Sequence, residues 1–168
     1  MQAKPLYLLA EFDGETQKTL AEYFEVLSQN GFVGSQTKDI PYHFTLGSRG
    51  VEFENQLLDA LEKICPETAA VDVNLDHIGL FGLNVLFIAP GMNCELLKLQ
   101  RSFFPDCDCD DDCSAWTAHA TLLIDEPEII LRALPLVAKN FKPMKARIES
   151  VAICEFFPAR LIARYFLR

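Results

Sequence analysis

The stretches Pro41-Tyr42-His43-Phe44-Thr45-Leu46 and Thr117-Ala118-His119-Ala120-Thr121-Leu122 decide how this chain is to be read. Each runs His, apolar, Thr, apolar inside a segment of strand character. Side chains alternate along a strand, so His43 and Thr45 share one face while Phe44 and Leu46 occupy the other. The same holds for His119 and Thr121 against Ala120 and Leu122. The chain thus builds, twice, a strand with an apolar back and a front that carries an imidazole and a hydroxyl. The expectation is that the two fronts meet in space and make one site.

Outward from these stretches, the chain alternates short strands and helices. Leu6 to Phe12 reads as a strand, and Asp13 suits the cap of a helix from about Glu15 to Asn30, with Leu20, Phe24 and Leu27 inward and Gly31 as its stop. After the first His strand, Glu52 to Cys65 has Phe53, Leu57, Leu61 and Ile64 at helical spacing, ended by Pro66. Val71 to Leu80 and Val85 to Ala89 read as a hairpin about Phe81-Gly82-Leu83-Asn84. A third helix is expected from Asn93 to Phe104. The second His strand follows, then a helix opened by Pro127 and running to about Asn140, with Leu131, Leu134 and Phe141 inward and a kink at Pro135. Lys145 to Phe156 and Leu161 to Leu167 close the chain as two strands. The two histidines lie 119 − 43 = 76 residues apart, each flanked by helices, which fits two similar halves with the His strands side by side at the centre.

Composition sets the outer bounds. At 168 residues and 50% hydrophobic, with 13 Phe, residues 1–168 fit one domain with a core that needs neither disulfide nor metal. Pro5 to Ala10 reads as too short for a secretion signal and runs into Glu11 and Asp13, and no apolar run approaches the length needed to cross a bilayer. A cytoplasmic monomer is expected. Of six cysteines, Cys65, Cys94 and Cys154 fall in apolar patterns and read as small buried hydrophobes. A net charge of −9 argues against broad nucleic-acid binding, which depends on neutralised phosphates, but leaves room for a small phosphorylated ligand.

The chain has three histidines and two of them open the same four-residue pattern. By chance that would happen roughly once in a thousand such sequences. On His43-Phe44-Thr45-Leu46 and His119-Ala120-Thr121-Leu122 the chain resembles the 2H phosphoesterase superfamily, which includes the RNA 2′,3′-cyclic phosphodiesterases, also called 2′-5′ RNA ligases. The resemblance covers nearly the whole chain. It implies an α+β, bilobal fold: two α/β lobes related by a pseudo-twofold, with antiparallel sheets flanking a central cleft. It also implies catalysis without metal or other cofactor, with His43 and His119 as general acid and general base and Thr45 and Thr121 holding the phosphate. The chemistry of the residues agrees. Opening a cyclic phosphodiester in line needs one group to take a proton from water and another to protonate the departing oxygen, and imidazoles titrate in the range for both. Hydroxyls two residues on can donate to the non-bridging oxygens as charge grows there. Which histidine is the base stays open, and reversal of the roles would give ligation.

Beyond the motifs, Arg49 lies just past the first and can reach a phosphate or simply sit on the surface, and Trp116, three residues before His119, can stack on a base or fill the core. Tyr42 faces the back of its strand and is expected to be packed. His77 fits no motif and reads as a strand-end or surface residue. Cys107-Asp108-Cys109-Asp110-Asp111-Asp112-Cys113 is the strangest segment, though C-x-C-x3-C lacks the usual knuckle spacing for zinc, so no metal site is assigned and a solvated acidic loop is the default. Its charge would repel a long RNA. The expected partner is a small cyclic phosphodiester, a nucleotide or a short RNA end. The alternatives are a non-catalytic phospholigand-binding module, or a metal-binding protein built on the Cys107–Cys113 loop.

Overall fold

The computed structural model describes residues 4–91, 93–105, 116–156 and 158–168. Strand β1, Leu6–Phe12, is buried almost throughout, which is why its sequence is nearly all apolar. Helix α1, Gly14–Gln29, starts where the Asp13 carboxylate accepts a hydrogen bond from the Thr16 N–H at 2.9 Å. It ends in a Schellman arrangement: Gly31, at φ +84°, donates to the Ser28 carbonyl while Phe32 donates to Leu27. Strand β2 is His43–Arg49. A 3₁₀ turn at Val51–Phe53 then leads into α2, Glu54–Ile64, so the regular helix begins two residues later than the sequence suggests and Phe53 stays largely exposed.

Strands β3, Val71–Phe81, and β4, Val85–Pro90, form the expected hairpin, with Gly82 at φ +53° in the turn. Helix α3, Cys94–Phe103, is capped by the Asn93 side chain, which accepts from Leu96 N–H at 2.9 Å. Cys94 is the first residue of that helix and is exposed, unlike buried Cys65 and Cys154. Strand β5 is Ala120–Ile124, helix α4 is Pro127–Asn140, and β6, Met144–Glu155, turns back into β7, Arg160–Phe166. Helix α4 buries Ile130, Ala133 and Val137; the stripe falls one residue away from the expected Leu131, which is half exposed. Pro135 lies inside that helix on its exposed side, where the carbonyl that it orphans can meet water.

The described strands form one antiparallel array in the order β2-β1-β6-β3-β4-β5, with β7 also on β6. The long β6 serves both halves. Its C-terminal part pairs with β1 and β7, and its N-terminal part, Met144 to Ile148, pairs with β3. One lobe is therefore β2-β1-β6-β7 and the other β5-β4-β3-β6. The two His strands are not paired side by side, as the sequence suggested. They stand at opposite ends of the strand order, and the array bends so that β2 and β5 approach each other across a cleft. The helices pack as α1 with α4 and α2 with α3. One face of β1, Leu6, Leu8, Ala10 and Phe12, joins the main core, while Leu9 joins a smaller cluster with Ala152 and Cys154 on the cleft side.

Candidate active site

Strand alternation places the site. In the first lobe His43 stands across from Glu11 and Thr45 across from Leu9, so both share a face with Tyr7, Leu9 and Glu11 of β1. Phe44 and Leu46 turn back into the main core and are essentially inaccessible. In the second lobe Thr121 stands across from Phe87, while Ala120 and Leu122 are core residues.

The lobes repeat one local irregularity. The β1–β2 ladder pairs Thr45 with Leu9 and then Gly47 with Leu8, leaving Leu46 as an extra residue. The β4–β5 ladder pairs Thr121 with Phe87 and then Leu123 with Leu86, leaving Leu122 as the extra one. A one-residue bulge thus follows the threonine in both motifs, bends the strand and resets the alternation behind it. The bulge explains why Leu122 and Leu123 can both be buried.

The imidazoles are held in the same way. His43 Nδ1–H donates to the Pro41 carbonyl at 2.8 Å, and His119 Nδ1–H donates to the Thr117 carbonyl at 2.7 Å. A carbonyl can only accept, so each Nδ1 is protonated and each Nε2 is left for chemistry: a base when the ring is neutral, an acid when it is charged. The segment ahead of His43 is pinned by Gln17 of α1, whose side chain accepts from the Tyr42 N–H and donates to the Tyr42 carbonyl, both at 2.7 Å. The segment ahead of His119 is pinned by Trp116, whose indole N–H donates to the Thr45 carbonyl at 2.9 Å. His119 packs edge-on against Phe81 and beside Phe87, with ring centroids 4.7 and 5.2 Å away; His43 lies 6.5 Å from Phe156.

Burial pushes the His43 imidazole below the ordinary 6.5, and the nearby charge of His119 adds to this; the bond to Pro41 and the Glu11 carboxylate oppose it. His43 is thus held mainly neutral at pH 7. Burial also pushes the Tyr42 phenol up to about 12 and the Cys65 and Cys154 thiols up to about 11, so none of the three ionises near neutrality. Among the described residues, no protein group bonds the hydroxyls of Thr45 or Thr121, which leaves both available as donors.

A cavity of about 340 Å³ opens beside β2 and β5 and is lined by His43 from one motif and Thr121 from the other. Tyr7, Ile40, Tyr42 and Phe156 form an apolar wall; Tyr42 packs against the main core as expected and, half-buried, also borders the cavity. Lys38 on the lip has no ion-pair partner among the described residues. Arg49 lies at the far end of β2 with its guanidinium 4.7 Å over the Phe104 ring, and neither it nor Trp116 lines this cavity. His77 is exposed beside Asp76. The Cys107–Cys113 segment lies outside the described residues, and no cluster of metal-ligating side chains is found among those described.

The sequence reading did not find Tyr7, Glu11, Phe81, Phe87 and Phe156 as neighbours of the motifs. The signal for Glu11 was available: an acid at an otherwise apolar strand position that shares parity with Tyr7 and Leu9.

No family model matches the sequence, and no curated protein does. Solved structures do. The fold is that of E. coli LigT in complex with 3′-AMP (TM-score 0.65, 16% identity, 99% of both chains covered). It is also that of a phosphoesterase (0.65, 17%, 98% of both) and of TT0787 from Thermus thermophilus (0.66, 18%, 98% of both). LigT has been solved with ATP and NADP+ as well. The chain has the α+β fold of LigT.

Proposed function

We propose that this protein hydrolyses a 2′,3′-cyclic or related cyclic phosphodiester on a nucleotide or short RNA end, by two-histidine acid/base catalysis that needs no metal. The observation that carries the reading is the duplicated lock: two bulged strands, face to face, each with Nδ1 of its histidine spent on the carbonyl two residues back and Nε2 left to react. His43, kept neutral by burial, takes the proton from water. His119 is the group that protonates the departing sugar oxygen. Thr45 and Thr121 donate to the non-bridging oxygens as the phosphorane gathers charge. With a 5′-hydroxyl in place of water, the same pair would deprotonate that hydroxyl as it attacks the cyclic phosphate and protonate the 3′ oxygen as it leaves, joining 2′ to 5′ ends.

The nucleotides bound by LigT support a ligand of that size, as does a cavity whose apolar wall can take a base beside the reacting phosphate. The net charge of −9 disfavours long RNA. Trp116 serves this reading by fixing the Thr45 carbonyl, and Arg49 would meet only a substrate that extends along β2. The setting supposed is a monomer in the cytoplasm; no helix among the described residues is long and apolar enough to cross a membrane.

The test is turnover of 2′,3′-cyclic nucleotides in EDTA by the intact protein and by His43→Ala and His119→Ala. Activity should persist in EDTA and fall by about 10²–10⁴ in either variant. Undiminished activity in His119→Ala would sink the two-histidine mechanism. Saturable binding without turnover across the cyclic nucleotides would point to a phospholigand-binding module. Activity abolished by EDTA and restored by zinc would point to the cysteine-rich segment.

A further inference from the structure

Glu11 is the one charged side chain among the described residues that is buried, at 3% exposure. Arg164 of β7 grips both of its oxygens, Nε donating to Oε2 and a terminal amino group donating to Oε1 at 2.9 Å. The Ser150 hydroxyl of β6 donates to Oε2 at 2.9 Å. Removing such a pair from water costs about as much as the attraction returns, so stability alone is a weak reason for it. Its position supplies another. Glu11 is the cross-strand partner of His43, on the cleft face of β1, and Ser150 is its partner on the other side.

Among the described residues the second lobe has no equivalent. One step beyond the Ile88–Ala120 pair, where β4 runs past His119, stands Ala89. The two histidines share bulge, carbonyl lock and flanking phenylalanine, yet among the described residues only His43 has a fixed carboxylate beside it.

We propose that Glu11 is a positioning residue for His43, and that the Glu11–Arg164–Ser150 clamp holds a stationary negative charge beside the imidazole that must become an imidazolium. The inference rests on the reading of His43 as the general base. A base buried for neutrality loses solvent help at the moment it takes the proton, and a carboxylate fixed nearby offsets that loss without reorganising. Arg164 and Ser150 bond both carboxylate oxygens and prevent the group from swinging away. Nδ1 stays on Pro41, so Glu11 acts through space and leaves the tautomer alone. Among the described residues, the other ionisable groups on this side of the cleft are Tyr7 on β1, Cys154 on β6, His119 ahead of β5, and Tyr42 and Lys38 of the loop leading into β2.

The experiment is an NMR titration of the His43 and His119 rings in the intact protein, Glu11→Gln and Arg164→Gln, with kcat and KM on a 2′,3′-cyclic nucleotide alongside. Glu11→Gln should lower the His43 midpoint by roughly half a unit to one unit and leave His119 within about 0.2. Arg164→Gln bares the carboxylate and should raise the His43 midpoint. In Glu11→Gln, kcat should drop about tenfold with KM within about twofold. Because Arg164 is partly exposed, its variant keeps the test available if Glu11→Gln does not fold. An unmoved His43, both histidines moving together, or a fall in both variants, as loosening of the strand would give, overturns the proposal. The titrations need no turnover, so they stand apart from the fate of the hydrolysis reading. Hydrolysis with an unmoved His43 sinks the role of Glu11 alone.

Discussion

Trp116 and Thr45, 71 residues apart, are joined by one hydrogen bond from indole to backbone carbonyl. The chain leading into the second motif is thereby tied to the strand that bears the first, and the separation of the two fronts is set in part by this bond. Trp116→Phe keeps most of the ring and removes the donor. It should cost about 1 kcal/mol in denaturant unfolding and lower kcat more than it raises KM, because Thr45 loses its anchor. A variant as stable and as active as the parent would show that the bond sets nothing.

The two threonines make the same demand of both lobes. Thr45→Val and Thr121→Val keep the branched shape that suits a strand and remove only the hydroxyl. Neither hydroxyl bonds a described protein group, so thermal stability should change by less than about 1 kcal/mol. Turnover of a cyclic nucleotide should fall by about 10–10³ in each. A valine variant with full kcat would remove that threonine from the phosphate site.

Burial of His43 also makes stability depend on pH, with a definite sign. Unfolded His43 titrates at the ordinary 6.5, while in the fold burial holds it lower. Between those two values the unfolded chain carries more protons, so stability rises with pH there. The contribution is complete above 6.5 and is lost as pH falls through the native value. Compared with His43→Gln by urea unfolding, the parent should lose ground steadily as the medium is acidified below 6.5 and hold a constant difference above it. A difference that stays flat through the acid range, or grows in the parent's favour, contradicts the burial argument.

Gly79 tests the second lobe from beneath. A Cβ added there would meet the Phe87 ring at 2.2 Å, and Phe87 is buried against both Phe81 and His119. Gly79→Ala must therefore push that ring toward the histidine. The expected cost is about 1–3 kcal/mol in unfolding free energy, with a shifted His119 ring resonance. Unaltered His119 chemical shifts would mean that Phe87 yields in some other direction.

Much of this was legible in the sequence because it is local. β1 has the bounds that its apolar run gave, Asp13 caps α1, and Gly31 and Pro127 stand where a helix stop and a helix start require them. The face shared by His43 and Thr45 followed from strand alternation alone. What stayed hidden depends on distant pairing. Nothing in the order of elements said that β6 would be shared, so the His strands were expected at the centre and stand instead at the two ends of the strand order. Leu131 was misassigned because the buried stripe of Ile130, Ala133 and Val137 lies only one helical step from an apolar stripe that includes Leu131 and Leu134. The bulges at Leu46 and Leu122 were invisible because a bulge shows in the partner's register, not in its own residues.

The sharing of β6 has a consequence for how the molecule comes into being. Both β1 and β3 need Met144–Glu155 as a neighbour, and β6 in turn is completed by β7. On the ribosome, neither sheet can close until those later strands have emerged. The earlier hairpin of β3 and β4 and the pair of β1 and β2 must wait with open edges. Folding should then be late and all-or-none, limited by pairings between strands far apart in the chain. The two histidines would meet only once β6 is in place, so a nascent or truncated product would carry both motifs and no assembled cleft.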